Sequence, residues 1–162
     1  MSAGAVTHQL PDIALVKELL GMLFDALSVK LGPKLDVSPK AACYFGVYAS
    51  DDGTPVALCG CDMAFAANSG AALSMLPPNA AREAVKDKEL TPVMLANLHE
   101  VMNICTRLML RDDSPHLKLC ALCALNALPP AAAAIIAAPK GRIDFEIGLG
   151  KYGSGVLSVM CL

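Results

Sequence analysis

Glu100, Asn103 and Arg107 carry hydrogen-bonding groups and charge on what the residue pattern predicts to be one helix, from Pro92 to about Leu110. On a wheel at about 100° per residue, Met94, Leu95, Leu98, Val101, Met102, Cys105, Leu108 and Met109 fall on one broad apolar arc. Glu100, Asn103 and Arg107 fall together on the opposite arc, with Ala96 beside them. Residues three apart are neighbours on a helix surface, so Glu100 and Asn103 adjoin. A carboxylate, a carboxamide and a guanidinium would then point outward from one rigid element, within reach of a common partner. The plain alternative is a solvated face, since most helices turn polar residues to water. Asn103 argues for more. Asparagine is a poor interior helix residue because its side chain competes for backbone groups, and a solvated face has no need of it.

Other chemistry-bearing residues form weaker constellations. Cys59-x-Cys61 and Cys120-x-x-Cys123 could supply four thiolates to zinc. Residues two apart on a strand share a face, however, and residues three apart do not. The usual metal-site spacing is absent, and buried core thiols are the expected reading, so the site prediction includes no metal. His8, His99 and His116 sit in no recognisable catalytic or metal-binding motif, with His99 at the edge of the polar face. Gly150, Gly153 and Gly155 lie between two apparent strands. A phosphate-binding loop needs a following helix, so a hairpin turn is expected there.

The elements that must position the polar helix follow from apolar periodicity and breakers. Ile13, Val16, Leu19, Leu20, Leu23, Phe24, Leu27 and Leu31 recur at helical spacing, which predicts a helix over residues 11–31 stopped by Gly32-Pro33. Residues 42–49 (ACYFGVYA) read as a strand, Asp51-Asp52-Gly53 as a turn, and residues 55–61 (PVALCGC) as the second arm of a hairpin. Asp62 can cap a helix through Met63 toward Leu76, broken by Pro77-Pro78-Asn79, with a short helix over 80–86. Thr91-Pro92 opens the polar helix well, because threonine caps and proline suits the first helical position. Its end is expected at Arg111-Asp112-Asp113. Residues 117–125 predict a strand, and residues 142–149 and 155–161 a last hairpin. Hairpins imply antiparallel pairing, and helices between them must cover the sheet. The expected fold is therefore α+β: an antiparallel (mixed) sheet flanked by helices, with residues 1–162 forming one domain.

Composition narrows the function classes. Apolar residues make up 55% of the 162-residue chain and charged residues 17%, which excludes global disorder and suggests a large fraction of buried surface or an extra apolar face for self-association. Net charge is −2 and no basic stripe is present, so no nucleic-acid partner is expected. The most apolar stretch, residues 129–139 (PPAAAAIIAAP), is too short to span a bilayer. The first residues lack the basic start and apolar core of a signal peptide, so no membrane association and a cytoplasmic location are expected. The 7 cysteines lie mostly in apolar runs, which fits reduced, buried thiols.

The segment HEVMNICTRLM, with Glu100-x-x-Asn103, resembles the signature helix of the CheC/CheX phosphatases, relatives of the flagellar switch protein FliM. The family motif is Asp or Ser, then Glu four positions on, then Asn three further, with a proline well downstream. Glu100 and Asn103 match, and Pro129 or Pro130 can supply the proline. The first position is Ala96, which departs from the pattern and removes one docking contact. The order of elements is similar over nearly the whole chain, and YFGVYASDDGTPVALCG looks like the CheX strand-turn-strand. The motif occurs once, as in CheX, whereas CheC carries it twice. The resemblance implies a phosphatase that accelerates hydrolysis of the phosphoaspartate on a CheY-like receiver domain. It implies Glu100 and Asn103 as catalytic residues, with Ala96, Arg107 and Pro129 at the partner surface. Asn103 would orient the attacking water and Glu100 would pair with a lysine of the receiver. It implies no cofactor in this chain, since Mg²⁺ would sit in the receiver, and together with the low charge it implies a homodimer. The alternative on the same fold is a non-catalytic receiver-binding module, like FliM.

Overall fold

The computed structural model describes residues 9–110 and 115–162. Among them, six strands pair into one sheet: β1 (Leu27–Leu31), β2 (Cys43–Ala49), β3 (Pro55–Asp62), β4 (Lys118–Ala124), β5 (Gly141–Leu149) and β6 (Ser154–Cys161). Their order across the sheet is β1-β5-β6-β3-β2-β4. Every neighbouring pair is antiparallel. The helices are α1 (Ile13–Leu20), α2 (Met63–Leu73), α3 (Pro78–Asp87), α4 (Pro92–Cys105) and α5 (Pro130–Ala137). The α+β expectation holds, with the sheet wholly antiparallel.

Three elements differ from the sequence reading. The helix expected over 11–31 stops at Leu20, and Leu27–Leu31 is an edge strand. Leu27, Val29 and Leu31 satisfy a period of two as well as the helical one. Pairing with β5, from Leu27↔Leu149 to Leu31↔Phe145, decides between them. The proline and alanine segment, given no structure from sequence, contains α5. The polar helix keeps α geometry only to Cys105 and continues as a 3₁₀ turn over Thr106–Leu108. Its expected stop at Arg111-Asp112-Asp113 lies outside the described residues, as does His8.

The sheet is covered on both faces. Residues of α1 to α4 bury Val16, Leu20, Phe65, Met94, Leu98 and Met102 against Cys59, Cys61, Phe145 and Val159. On the other face, Ala132 and Ile135 of α5 share a buried cluster with Leu35, Phe45, Val47, Leu58 and Met160. A local polar cluster ties the chain around Leu35 to this second face. Asp144 Oδ1 accepts from Leu35 N at 2.9 Å, and Arg142 donates to Leu35 O at 3.0 Å and to Asp144 at 3.1 Å. Burial alone would raise the Asp144 carboxyl, but the hydrogen bonds from Arg142 and Leu35 outweigh it and hold the group below its ordinary value.

The contact that sets α4 in place is with α2. A Cβ on Gly70 would lie 2.9 Å from both Cβ and O of Met94, closer than side chains tolerate. Asn97 completes this seam, donating from Nδ2 to Gly70 O at 2.8 Å and Ser74 Oγ at 2.7 Å. Gly70→Val should therefore lower the unfolding free energy by about 1–3 kcal/mol, the usual cost of overpacking, although glycine is itself a poor helix former. Urea unfolding checks this; unchanged stability would mean that the helices do not meet so closely.

Candidate functional site

The site begins with how α4 starts. Thr91 accepts from Met94 N at 3.2 Å, and Pro92 takes a first-turn position where no N–H is needed. The inner face then buries Met94, Leu98, Val101, Met102 and Cys105. At the far end, the buried Tyr48 hydroxyl donates to Met102 O at 2.5 Å, fastening the helix to β2.

With the inner face so held, the outer face is fixed. Ala96, Glu100, Asn103 and Arg107 are all exposed, as the wheel predicted. Glu100 and Asn103 adjoin on the same helical turn, and Arg107 follows in the 3₁₀ turn. None of these three side chains has a hydrogen-bond or ion-pair partner among the described residues. Within the described part of the chain, their hydrogen-bonding groups are exposed and carry no partner. Val93, 50% exposed, extends the stripe toward the helix start.

Three placements depart from the sequence reading. Leu95, assigned to the core arc, is 43% exposed. The buried arc is rotated toward α2, which turns Leu95 outward and draws the polar Asn97 into the seam. Pro129 is exposed and caps α5, on the face of the sheet opposite α4. The structure therefore does not bring Pro129 to the Glu100–Asn103 stripe, because after β4 the chain turns to the other face. Tyr48 was missed altogether; an aromatic residue in a strand reads as core, and only tertiary structure reveals its hydroxyl contact.

The rival constellations are dispersed. Cys59 and Cys61 share the buried, helix-covered face of β3, where burial pushes the Cys61 thiol up. Cys120 is exposed on the edge strand β4, and Cys123 is half-buried. Among the described residues no group of three His, Cys, Asp or Glu side chains converges. His99 is exposed, and His116 Nδ1 lies 2.8 Å from Asp51 Oδ1 at the surface. The glycine-rich segment is the β5–β6 turn, with a 3₁₀ turn over Gly150–Tyr152. Among the described residues no helix is long and apolar enough to cross a membrane.

No family model and no curated protein matches the sequence. Solved structures do match the fold. A chain of the FliM–SpeE complex from H. pylori superposes with a TM-score of 0.56 at 10% identity, over 92% of this chain and 78% of that one. The FliM middle domain from H. pylori gives 0.50 at 11% identity, over 92% and 82%. A chain of the CheX–CheY complex from Borrelia burgdorferi gives 0.49 at 15% identity, over 91% and 90%. The chain thus has a fold similar to that of the FliM middle domain. In that fold, α4 is the element on which Glu100 and Asn103 are presented.

Because both side chains project into solvent, Glu100→Ala and Asn103→Ala should each change stability by no more than about 0.5 kcal/mol. Thermal unfolding of the two variants checks this. A large drop in either would place that side chain in a contact absent from this arrangement.

Proposed function

We propose that this chain docks α4 on a phosphorylated, CheY-like receiver domain and accelerates hydrolysis of its phosphoaspartate. The observation that carries this reading is the Glu100–Asn103 pair, adjacent, exposed and without partners among the described residues. The FliM-like fold supports it by supplying the framework in which the family's signature helix is expected.

The chemistry asked of the chain is small. Water attacks phosphorus in line, the bond from phosphorus to the aspartyl oxygen breaks, the carboxylate leaves, and the water's proton passes to phosphate or solvent. The receiver carries the Mg²⁺ and lysine that stabilise the transferring group, so this chain needs no cofactor of its own. Asn103 contributes orientation: its carboxamide donates and accepts at once and does not titrate, and holding the water in line removes entropy from the barrier. Glu100 sets the docking register by pairing with a lysine of the receiver. Arg107 and Ala96 border the contact. A receiver partner would place the protein in the cytoplasm.

A binding module without catalysis is the second reading, and Ala96 favours it. That exposed position offers no polar group one turn before Glu100. Decay of a phosphorylated receiver, with and without this protein, separates the two. Under the first reading the wild type shortens the decay. Asn103→Ala abolishes the acceleration while binding persists. Glu100→Ala weakens binding, so higher protein concentration recovers the rate. Ala96→Asp holds or raises activity. A wild type that binds a receiver without shortening its decay would leave only the binding module.

The proposal includes a homodimer formed through the sheet or an apolar helix surface. Only 17% of residues are charged, and the exposed side of α5 presents Ala131, Ala133, Ala134 and Ala137. Light scattering at micromolar concentration should give twice the 16.8 kDa chain mass; a clean monomer would remove this part of the proposal.

A further inference from the structure

We infer that Tyr48 is a positioning residue for Asn103, an inference that rests on the phosphatase reading above. Tyr48 lies in β2, its side chain wholly inside the layer between the sheet and α1 to α4. A phenylalanine would fill the same space without a polar group to satisfy. The hydroxyl donates to Met102 O at 2.5 Å. That carbonyl belongs to the peptide group whose nitrogen is Asn103's, and a peptide group is a rigid plane. The hydrogen bond therefore holds the unit from which the Asn103 Cα projects.

Three further features show that the surroundings are arranged around this bond. The α-helical pattern stops here: the Thr106 N–H turns to Asn103 O, one residue short of its α-helical partner, Met102 O. Thr106 Oγ1 is buried and has no partner among the described residues. A threonine hydroxyl in a helix commonly turns to the carbonyl three or four residues back, and the carbonyl four back is the one Tyr48 holds. Finally, β2 is bare where the helix meets it. A Cβ on Gly46 would lie 3.0 Å from Tyr48 Oη and 3.3 Å from Met102 Cβ, so any side chain there would press on both partners. Burial pushes the Tyr48 phenol well above its ordinary range, so it remains a donor at physiological pH.

The tether sits at one end of the site. Ala96 and Glu100 precede Met102 on continuous α-helix, fastened by Thr91, Asn97 and the Gly70 seam. Asn103 is bound directly to the tethered unit. Loss of the hydroxyl should therefore disturb the group assigned to the water more than the groups assigned to docking.

The test compares wild type, Tyr48→Phe and Ile135→Val. The last thins the core on the opposite face of the sheet, under α5, and serves as a stability control. Receiver dephosphorylation is measured against receiver concentration, and amide hydrogen exchange is followed along α4. Tyr48→Phe should lower the saturated rate roughly tenfold or more, within the ~10²-fold that a displacement of about 1 Å can cost. The half-saturating receiver concentration should stay unchanged, and amide exchange should quicken over residues 103–106 but not at the start of α4. Ile135→Val should keep the wild-type rate. A Tyr48→Phe variant with the wild-type saturated rate would overturn the inference, as would an equal rate loss in Ile135→Val. If the wild type itself accelerates nothing, the phosphatase reading fails separately. The exchange comparison then decides the tether alone, and unchanged exchange over residues 103–106 would overturn it.

Discussion

Gly70 and Met94 set how closely α2 and α4 can approach, and the outer surface of α4 depends on that distance. With no Cβ at Gly70, the Met94 backbone sits where a side chain would otherwise be. The short separation lets Asn97 reach Gly70 O and Ser74 Oγ, which converts a van der Waals seam into a hydrogen-bonded one. Tyr48 fastens the other end. A helix held at both ends of its inner face has its rotation determined, and the direction of every outer side chain follows from 100° steps along it. Glu100 and Asn103 need no local bonds to share a face.

Two polar clusters in the chain show what this freedom means. Arg142 and Asp144 satisfy each other and both backbone groups of Leu35. Their bonds are internal and organise the second face of the sheet. Glu100, Asn103 and Arg107 satisfy nothing internal among the described residues. Groups of that kind are free to be spent on a partner, and a helix rigid enough to present them in register lowers the ordering cost of docking.

The covering of the sheet is what separates this surface from the rest. Four helices take one face and α5 the other. The chain crosses between the faces after β4, through the 3₁₀ turn over Leu125–Ala127. Pro129 therefore opens a helix on the far side from Asn103. A motif written along the chain treats the two as companions; the sheet stands between their elements.

Much of the architecture was legible from local pattern. Both hairpins, the Asp62 cap, the breaks at Pro77-Pro78 and the Thr91-Pro92 start rest on interactions within a few residues, and such interactions are written in short stretches of sequence. The exposed stripe of Ala96, Glu100, Asn103 and Arg107 was legible for the same reason, since helix periodicity alone separates it from the buried arc. What sequence could not decide depended on residues far apart in the chain. Leu27–Leu31 satisfies helix and strand periods alike, and β5, more than a hundred residues later, made it a strand. The alanine-rich run of α5 has no polar side to mark its periodicity, and the exposed apolar surface of the sheet gave it a place to pack. Leu95 and Asn97 lie at opposite borders of one helical arc, and the position of α2 chose which was turned inward. Sequence by itself thus determined the two hairpins, the helix starts at Asp62 and Thr91-Pro92, and the outward polar stripe of α4, because those are set by local periodicity and caps. Tertiary structure alone decided the strand order, the exact rotation of α4 and the Tyr48 contact beneath Asn103, because each is a competition settled by partners brought together only when the chain is folded.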